Sequence, residues 1–193
     1  MSGKSDRPVR ADAQRSIDAL LEAAMAVFSA SGVDAPVREI AERAGVGVGT
    51  VYRHFPLRAD LIAAVFRREI DACADAASAL SAKHDPSEAL ERWLQRYAAF
   101  IAAKRGLATA LHSGDPAFDS LPGYFEQRLQ PALQQLLRAA TDTGHVRADI
   151  DADELLTAVG SLCRSADKDG VAAARRMVAL LVDGLRYGAR PTR

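Results

Sequence analysis

The stretch that decides the fold is "AGVGVGTVYRHF", Ala44–Phe55. Its first half holds three glycines, and Thr50, Tyr52, Arg53 and His54 crowd the second. Flexible backbone followed at once by polar and aromatic donors suits a phosphate cradle, a metal site or a DNA-reading helix. The surroundings separate these. No strand pattern precedes the glycines, and their spacing matches neither G-x-G-x-x-G nor G-x-x-x-x-G-K-[ST], so the phosphate-loop readings fail. His54 has no ligand-type neighbour three or four positions away, which leaves no metal set.

Just upstream, "DAPVREIAERAG" places Val37, Ile40, Ala41 and Ala44 on one side of a short helix. Asp34 or Ala35 is expected to start it, with Pro36 in its first turn, where the missing N–H costs nothing. Gly45 ends it. After a turn at Val46–Gly47, a second short helix is expected over Val48–His54, stopped by Pro56. Helix, glycine-containing turn, helix is the order of a helix-turn-helix. Ala41 is small where the two helices nearly touch, and Gly45 permits a positive φ. Val51 and Phe55 are expected to face inward. Thr50, Tyr52, Arg53 and His54 then point away from the core, as on a helix presented to a groove.

The rest of the chain repeats at helical period. Ile17, Leu20, Leu21, Ala24, Val27 and Phe28 form one stripe that Gly32 ends. A long helix is expected over Arg58–Leu80, and Asp85–Pro86 opens another through Ala103. A shorter one spans Arg105–His112. "SGDPAFDSLPG" and "DTGHVRADIDAD" read as loops around a helix from Pro122 to Thr141, kinked near Pro131. Asp151 or Asp153 caps the next helix, and the last covers Val171–Tyr187. No strand alternation is present. The fold class is all-α, with about nine helices.

Composition bounds the rest. The 193 residues are 49% hydrophobic, enough for a real core, and carry no net charge. Residues 1–68 hold ten Lys and Arg against eight Asp and Glu, so any nucleic-acid contact is a local patch rather than a basic coat. No long apolar run suggests a membrane span. The polar start reads as a disordered arm without a signal-peptide core. Two isolated cysteines, Cys73 and Cys163, suit a reducing cytoplasm.

"IDALLEAAMAVFSASGVDAPVREIAERAGVGVGTVYRHFPLRADLIAAVF", Ile17–Phe66, resembles the N-terminal DNA-binding domain of TetR/AcrR-family transcriptional regulators. The matching pieces are A-x-x-x-F-x-x-x-G, I-A-x-x-A-G-V, G-T-x-Y-x-H-F and P-x-[KR]-x-x-L. The resemblance implies a homodimeric repressor of a double-stranded operator, controlled by a small molecule held in a C-terminal helical domain. It implies no cofactor and no enzyme activity. The expected organisation is an arm over 1–12, a DNA-binding domain over 13–57, a ligand-binding and dimerisation domain over 58–188 and a tail over 189–193. The two C-terminal helices are expected to pair with a second copy as a four-helix seam. The chain departs from the family at Gly47, where a capping Ser is usual, at Val48, where Lys is frequent, and at Leu57, where Ser or Thr is common. Arg58 replaces the usual Lys.

The residues that the resemblance and the outward face assign to DNA are Arg38, Val48, Gly49, Thr50, Tyr52, Arg53, His54 and Arg58. Arg53 is the candidate for guanine reading, Thr50 for a thymine methyl or a phosphate, and Tyr52, His54, Arg38 and Arg58 for phosphates. Arg10 and Arg15 reach along the backbone or stay solvated. For the ligand, Trp93, Tyr97 and Phe100 recur on one helix face, and read equally as core or as aromatic pocket walls. His112, Phe125 and Cys163, with Tyr124 and Arg128, complete that candidate pocket. Asp71 and Asp75, and Asp149, Asp151 and Asp153, have solvated or capping roles. An architectural DNA-binding protein without a ligand, and an enzyme using the C-terminal cavity, are the competing readings; no nucleophile–base pair supports the second.

Overall fold

The computed structural model describes residues 6–103, 110–111, 113–164 and 170–187, with side chains over 14–102, 110–111, 113–163 and 172–187. Every regular element among them is helical. The helices are α1 (Asp6–Ser31), α2 (Val37–Ala44), α3 (Val48–His54), α4 (Arg58–Ser81), α5 (Pro86–Ala103), α6 (Leu121–Asp142), α7 (Ala152–Arg164) and α8 (Gly170–Tyr187). A 3-10 turn, Pro116–Phe118, precedes α6. The short helix expected over Arg105–His112 lies mostly outside the described residues, as does His112 itself.

The chain forms two compact units. The first comprises residues 1–68 and 106–120, the second 69–105 and 121–193. Helix α4 contributes to both, since its residues through Arg68 pack in the first and those from Glu69 in the second.

In the first unit, α1 ends where expected, with Gly32 at φ 82° and its N–H on the Phe28 carbonyl at 3.0 Å. It starts much earlier than expected. Helix runs from Asp6, through half of the stretch read as a disordered arm. Pro8 is no obstacle there, because the first-turn N–H groups have no intrahelical acceptor. Leu20, Ala24, Val27 and Phe28 are buried, and α2 packs against this face with Ile40 and Ala41. Arg68 of α4 donates to the Asp18 carbonyl at 2.9 Å and lies 3.7 Å from Glu22.

The second unit is built on α5, which packs against α6, α7 and α8. Asp85 caps α5 as expected, accepting from the Glu88 N–H at 3.0 Å. Asp151 caps α7 through the Glu154 N–H at 2.8 Å, while Glu154 accepts from the Asp151 N–H at 3.3 Å. That is a reciprocal capping box. Pro131 sits inside α6, which continues on both sides of it.

Asp71 and Asp75 are not merely solvated. Asp71 accepts from the Tyr124 hydroxyl at 2.7 Å and from Arg128 Nε at 2.7 Å, and Asp75 accepts from Arg128 at 2.8 Å. This charge-assisted network ties α4 to α6. It also occupies Tyr124 and Arg128, the polar handles expected of a ligand pocket.

Candidate nucleic-acid interface and C-terminal cluster

Helices α2 and α3 meet through a turn whose geometry follows from its glycines. Gly45 lies in the left-handed region at φ 68°, and its N–H caps α2 on the Ala41 and Glu42 carbonyls. The Val46 N–H adds a second bond to Ala41 at 3.0 Å. A non-glycine residue at Gly45 would pay the left-handed strain. Gly47 caps α3 in an extended conformation without a side-chain bond. A Cβ there would meet nothing nearer than Thr50 Oγ1 at 4.0 Å, so packing does not demand glycine at 47. What Gly47 lacks is the hydroxyl that ordinarily caps a helix start.

Val51 is 1% exposed and anchors α3 to the unit's core. Phe55, expected to be buried beside it, is only half-buried. It ends α3 as the C-cap, outside regular helix geometry at φ −132°, so it leaves the helical i, i+4 line of Val51, and its ring lies 6.5 Å from that of His54.

The opposite face of α3 is open. Tyr52 is 53% exposed, Arg53 is exposed, and Thr50 and His54 are half-buried. Arg38 is exposed near the start of α2. Arg38 and Arg53 make no side-chain hydrogen bond or ion pair among the described residues. Nothing lies within 4 Å of the position a Cβ would take on Gly49. Glycine inside a helix costs roughly 1 kcal/mol against alanine, and no intramolecular neighbour accounts for that cost.

Arg58, expected at a phosphate, has an internal partner. An Arg58 guanidinium N–H donates to the Val33 carbonyl, bracing the α1–α2 connection against the start of α4. The Leu57 N–H at that start is taken by the Asp60 carboxylate at 3.3 Å. Arg15 is exposed on α1, and the Arg10 side chain lies outside the described residues. The Arg58 brace pairs groups 25 positions apart, and nothing in the local sequence shows it.

In the second unit, Trp93 is fully buried, and its indole N–H donates to the Cys73 carbonyl at 2.9 Å. Tyr97 stacks on Trp93 with ring centroids 5.7 Å apart and donates its hydroxyl to the Leu156 carbonyl at 3.4 Å. Phe100 is buried beside Tyr97, and half-buried Phe125 stands 6.3 Å from Phe100. Trp93 and Tyr97 are therefore core, with their polar atoms used internally, rather than walls of an open pocket. Cys163 is likewise fully buried. Two surface cavities lie elsewhere in this unit. One of about 660 Å³ follows α4 and α5 past Ala76, Leu80 and Gln95. The other, about 430 Å³, lies on α7 and α8 between Leu162, Met177, Leu180 and Leu185.

Burial also decides the Cys73 thiol. Loss of hydration pushes it from 9.0 up to about 12, partly opposed by the Arg96 charge and reinforced by Glu69. The native state thus keeps a proton that the unfolded chain loses above about pH 9. Stability from this group is intact below that pH and falls as pH rises toward about 12. Urea unfolding of wild type and Cys73→Ala is expected to show their stability gap narrowing as pH rises from 8 to about 11. A constant gap would show that the thiol is hydrated in the native state.

No group of three or more metal-type ligands occurs among the described residues, and no described helix is long and apolar enough to cross a membrane. Comparison with known proteins agrees with the helix-turn-helix geometry. Residues 20–65 match the description "Bacterial regulatory proteins, tetR family", and residues 85–187 match "Transcriptional regulator SbtR-like, C-terminal domain". The chain belongs to the TetR family of transcriptional regulators. A solved TetR regulator of Streptomyces coelicolor is 38% identical, with a TM-score of 0.79 over 88% of this chain and 98% of that one. A TetR regulator of Mycobacterium vanbaalenii is also 38% identical, with a TM-score of 0.75 over 93% and 99%. The transcriptional repressor KstR of Mycolicibacterium smegmatis is 43% identical over 63 residues, 31% of each chain. This TetR-family chain thus aligns with under a third of that curated relative's length.

Proposed function

We propose that this TetR-family regulator is a homodimeric repressor of a near-palindromic operator, released by a small, mostly apolar ligand. The observation that carries the reading is the open face of α3. Tyr52 and Arg53 stand exposed around Gly49, with Arg38 exposed near the start of α2. Basic groups without internal partners beside a backbone that can be closely approached are what a phosphate-lined groove requires. No cofactor and no catalytic step enter this reading, and the cytoplasm is the compartment it requires.

The dimer rests on a second exposed face. Leu162, Met177, Leu180 and Tyr187 are exposed on α7 and α8, and the first three line the 430 Å³ groove. A second copy related by two-fold symmetry covers both copies of that face at once. Two recognition helices about 34–36 Å apart then enter successive major grooves. Selection from random duplexes should return a two-fold-symmetric site; a pool with no such site would refute the reading.

For the effector, the reading moves to the edge of the aromatic cluster, at buried Phe100 and half-buried Phe125, because Trp93 and Tyr97 are closed in the core. Helix α4 runs unbroken from Arg58 to Ser81 and supplies residues to both units, so ligand-dependent change in its tilt is the proposed coupling route. Coupling of about 1–3 kcal/mol lowers operator affinity roughly 5- to 150-fold.

Arg58 is assigned a bracing rather than a phosphate role. Arg58→Ala is expected to destabilise the first unit by about 1.5–3 kcal/mol, the range for a hydrogen bond from a charged group. The slope of log affinity against log salt should barely change, whereas Arg53→Ala lowers it by about one unit if Arg53 meets a phosphate, or relaxes base preference if it reads guanine. A full-unit fall in slope for Arg58→Ala, with stability unchanged, would restore Arg58 to the DNA contact set.

A further inference from the structure

The exposed large apolar residues fall into two groups. Four of the seven among the described residues, Leu162, Met177, Leu180 and Tyr187, lie on α7 and α8. The other three, Val48, Tyr52 and Leu57, lie within ten positions of one another on and beside α3. Single exposed apolar side chains are ordinary, so position on the recognition helix, not exposure alone, sets one of these apart. Val48 is 39% exposed, the first residue of α3, and one helical turn before Tyr52 on the same face. Valine is a mediocre helix former, and Val51 supplies the buried contact of α3.

Resting on the operator-binding reading above, we infer that Val48 reads the 5-methyl group of a thymine in each half-site. Residues at the start of a recognition helix are the ones that reach base edges. Valine has no donor or acceptor, so it can discriminate bases only through an apolar contact. In the major groove the C5-methyl of thymine is the one apolar group that any base presents. Tyr52 carries a hydroxyl that suits a phosphate. Leu57 lies beyond the helix stop at Pro56, outside the recognition helix itself. Arg38 and Arg53 supply the charge complementarity that brings this apolar residue against an anionic partner.

The test uses the selected operator with each thymine replaced in turn by uracil, which removes the methyl and keeps every hydrogen-bonding group. One thymine per half-site should lose affinity about fourfold, from ~0.8 kcal/mol for one carbon group removed from water at 1.4 kcal/mol per factor of ten. Replacing both symmetry-related thymines should lose about fifteenfold. Val48→Ala, with a shorter side chain, should weaken the thymine operator and shrink the difference between thymine and uracil at that position, while keeping the wild-type helical circular dichroism. If no thymine responds to uracil, or if the response persists unchanged in Val48→Ala, Val48 does not read a methyl. If no duplex is selected at all, the operator-binding reading falls first.

Discussion

Replacing Trp93 by alanine is expected to destabilise the second unit by about 3–5 kcal/mol, the range for truncating a fully buried large aromatic side chain. Three losses combine. The indole leaves a cavity among side chains that have no solvent exposure to collapse from. Its stacking on Tyr97, with centroids 5.7 Å apart, disappears. The Cys73 carbonyl, which accepts the indole N–H at 2.9 Å, loses its partner on α5. Trp93→Phe keeps one aromatic ring against Tyr97 but removes the donor and the second ring, so it should cost less than alanine. Its cost should be about 1–3 kcal/mol, visible as a lower urea midpoint followed by circular dichroism. Native Trp93 emission, from the only tryptophan in the chain, should resist soluble quenchers. A cost under about 1 kcal/mol for Trp93→Ala, together with ready quenching, would mean that the indole lines an open pocket after all.

The Trp93 case shows where the sequence was legible and where it stopped. Periodicity places a residue on a helix face, and Trp93, Tyr97 and Phe100 do share one. It cannot say whether the facing helices close over that face or leave a cavity, because closure depends on partners such as Leu156, 59 positions from Tyr97. Local backbone chemistry was readable for the opposite reason. The left-handed Gly45 and the caps at Asp85 and Asp151 depend on neighbours within a few residues. So did the helix-turn-helix, whose two helices and turn fit in eighteen residues from Val37 to His54. Pro36 marks the limit of even this local reading. It stands at the N-cap of α2 rather than in its first turn, and α2 begins at Val37. The Asp71–Tyr124–Arg128–Asp75 network and the Arg58 brace were beyond reach, since each joins groups 25 to 57 positions apart. A charged residue read alone defaults to solvent, and only its tertiary partner corrects that.

The last expectation tests the proposed seam on α7 and α8. Leu180 is 64% exposed, so Leu180→Glu should leave the folded chain itself within about 0.5 kcal/mol of wild type, as surface changes usually do. In an isologous dimer the same substitution enters twice. Each glutamate would lie against Leu162, Met177 and Leu181, where the Arg147 guanidinium is already paired with Asp149. A buried carboxylate without a partner costs several kcal/mol, so two of them exceed what one standard interface holds in reserve. The variant should sediment as a monomer of about half the wild-type mass. Operator affinity should fall by at least a hundredfold even though α3 is untouched, because linking two half-site contacts supplies roughly 10²- to 10⁴-fold of avidity. Affinity for an isolated half-site should not change. Sedimentation velocity and binding to whole and half operators separate the outcomes. A Leu180→Glu variant that stays dimeric and holds the full operator as wild type does would place the dimer seam on some other face.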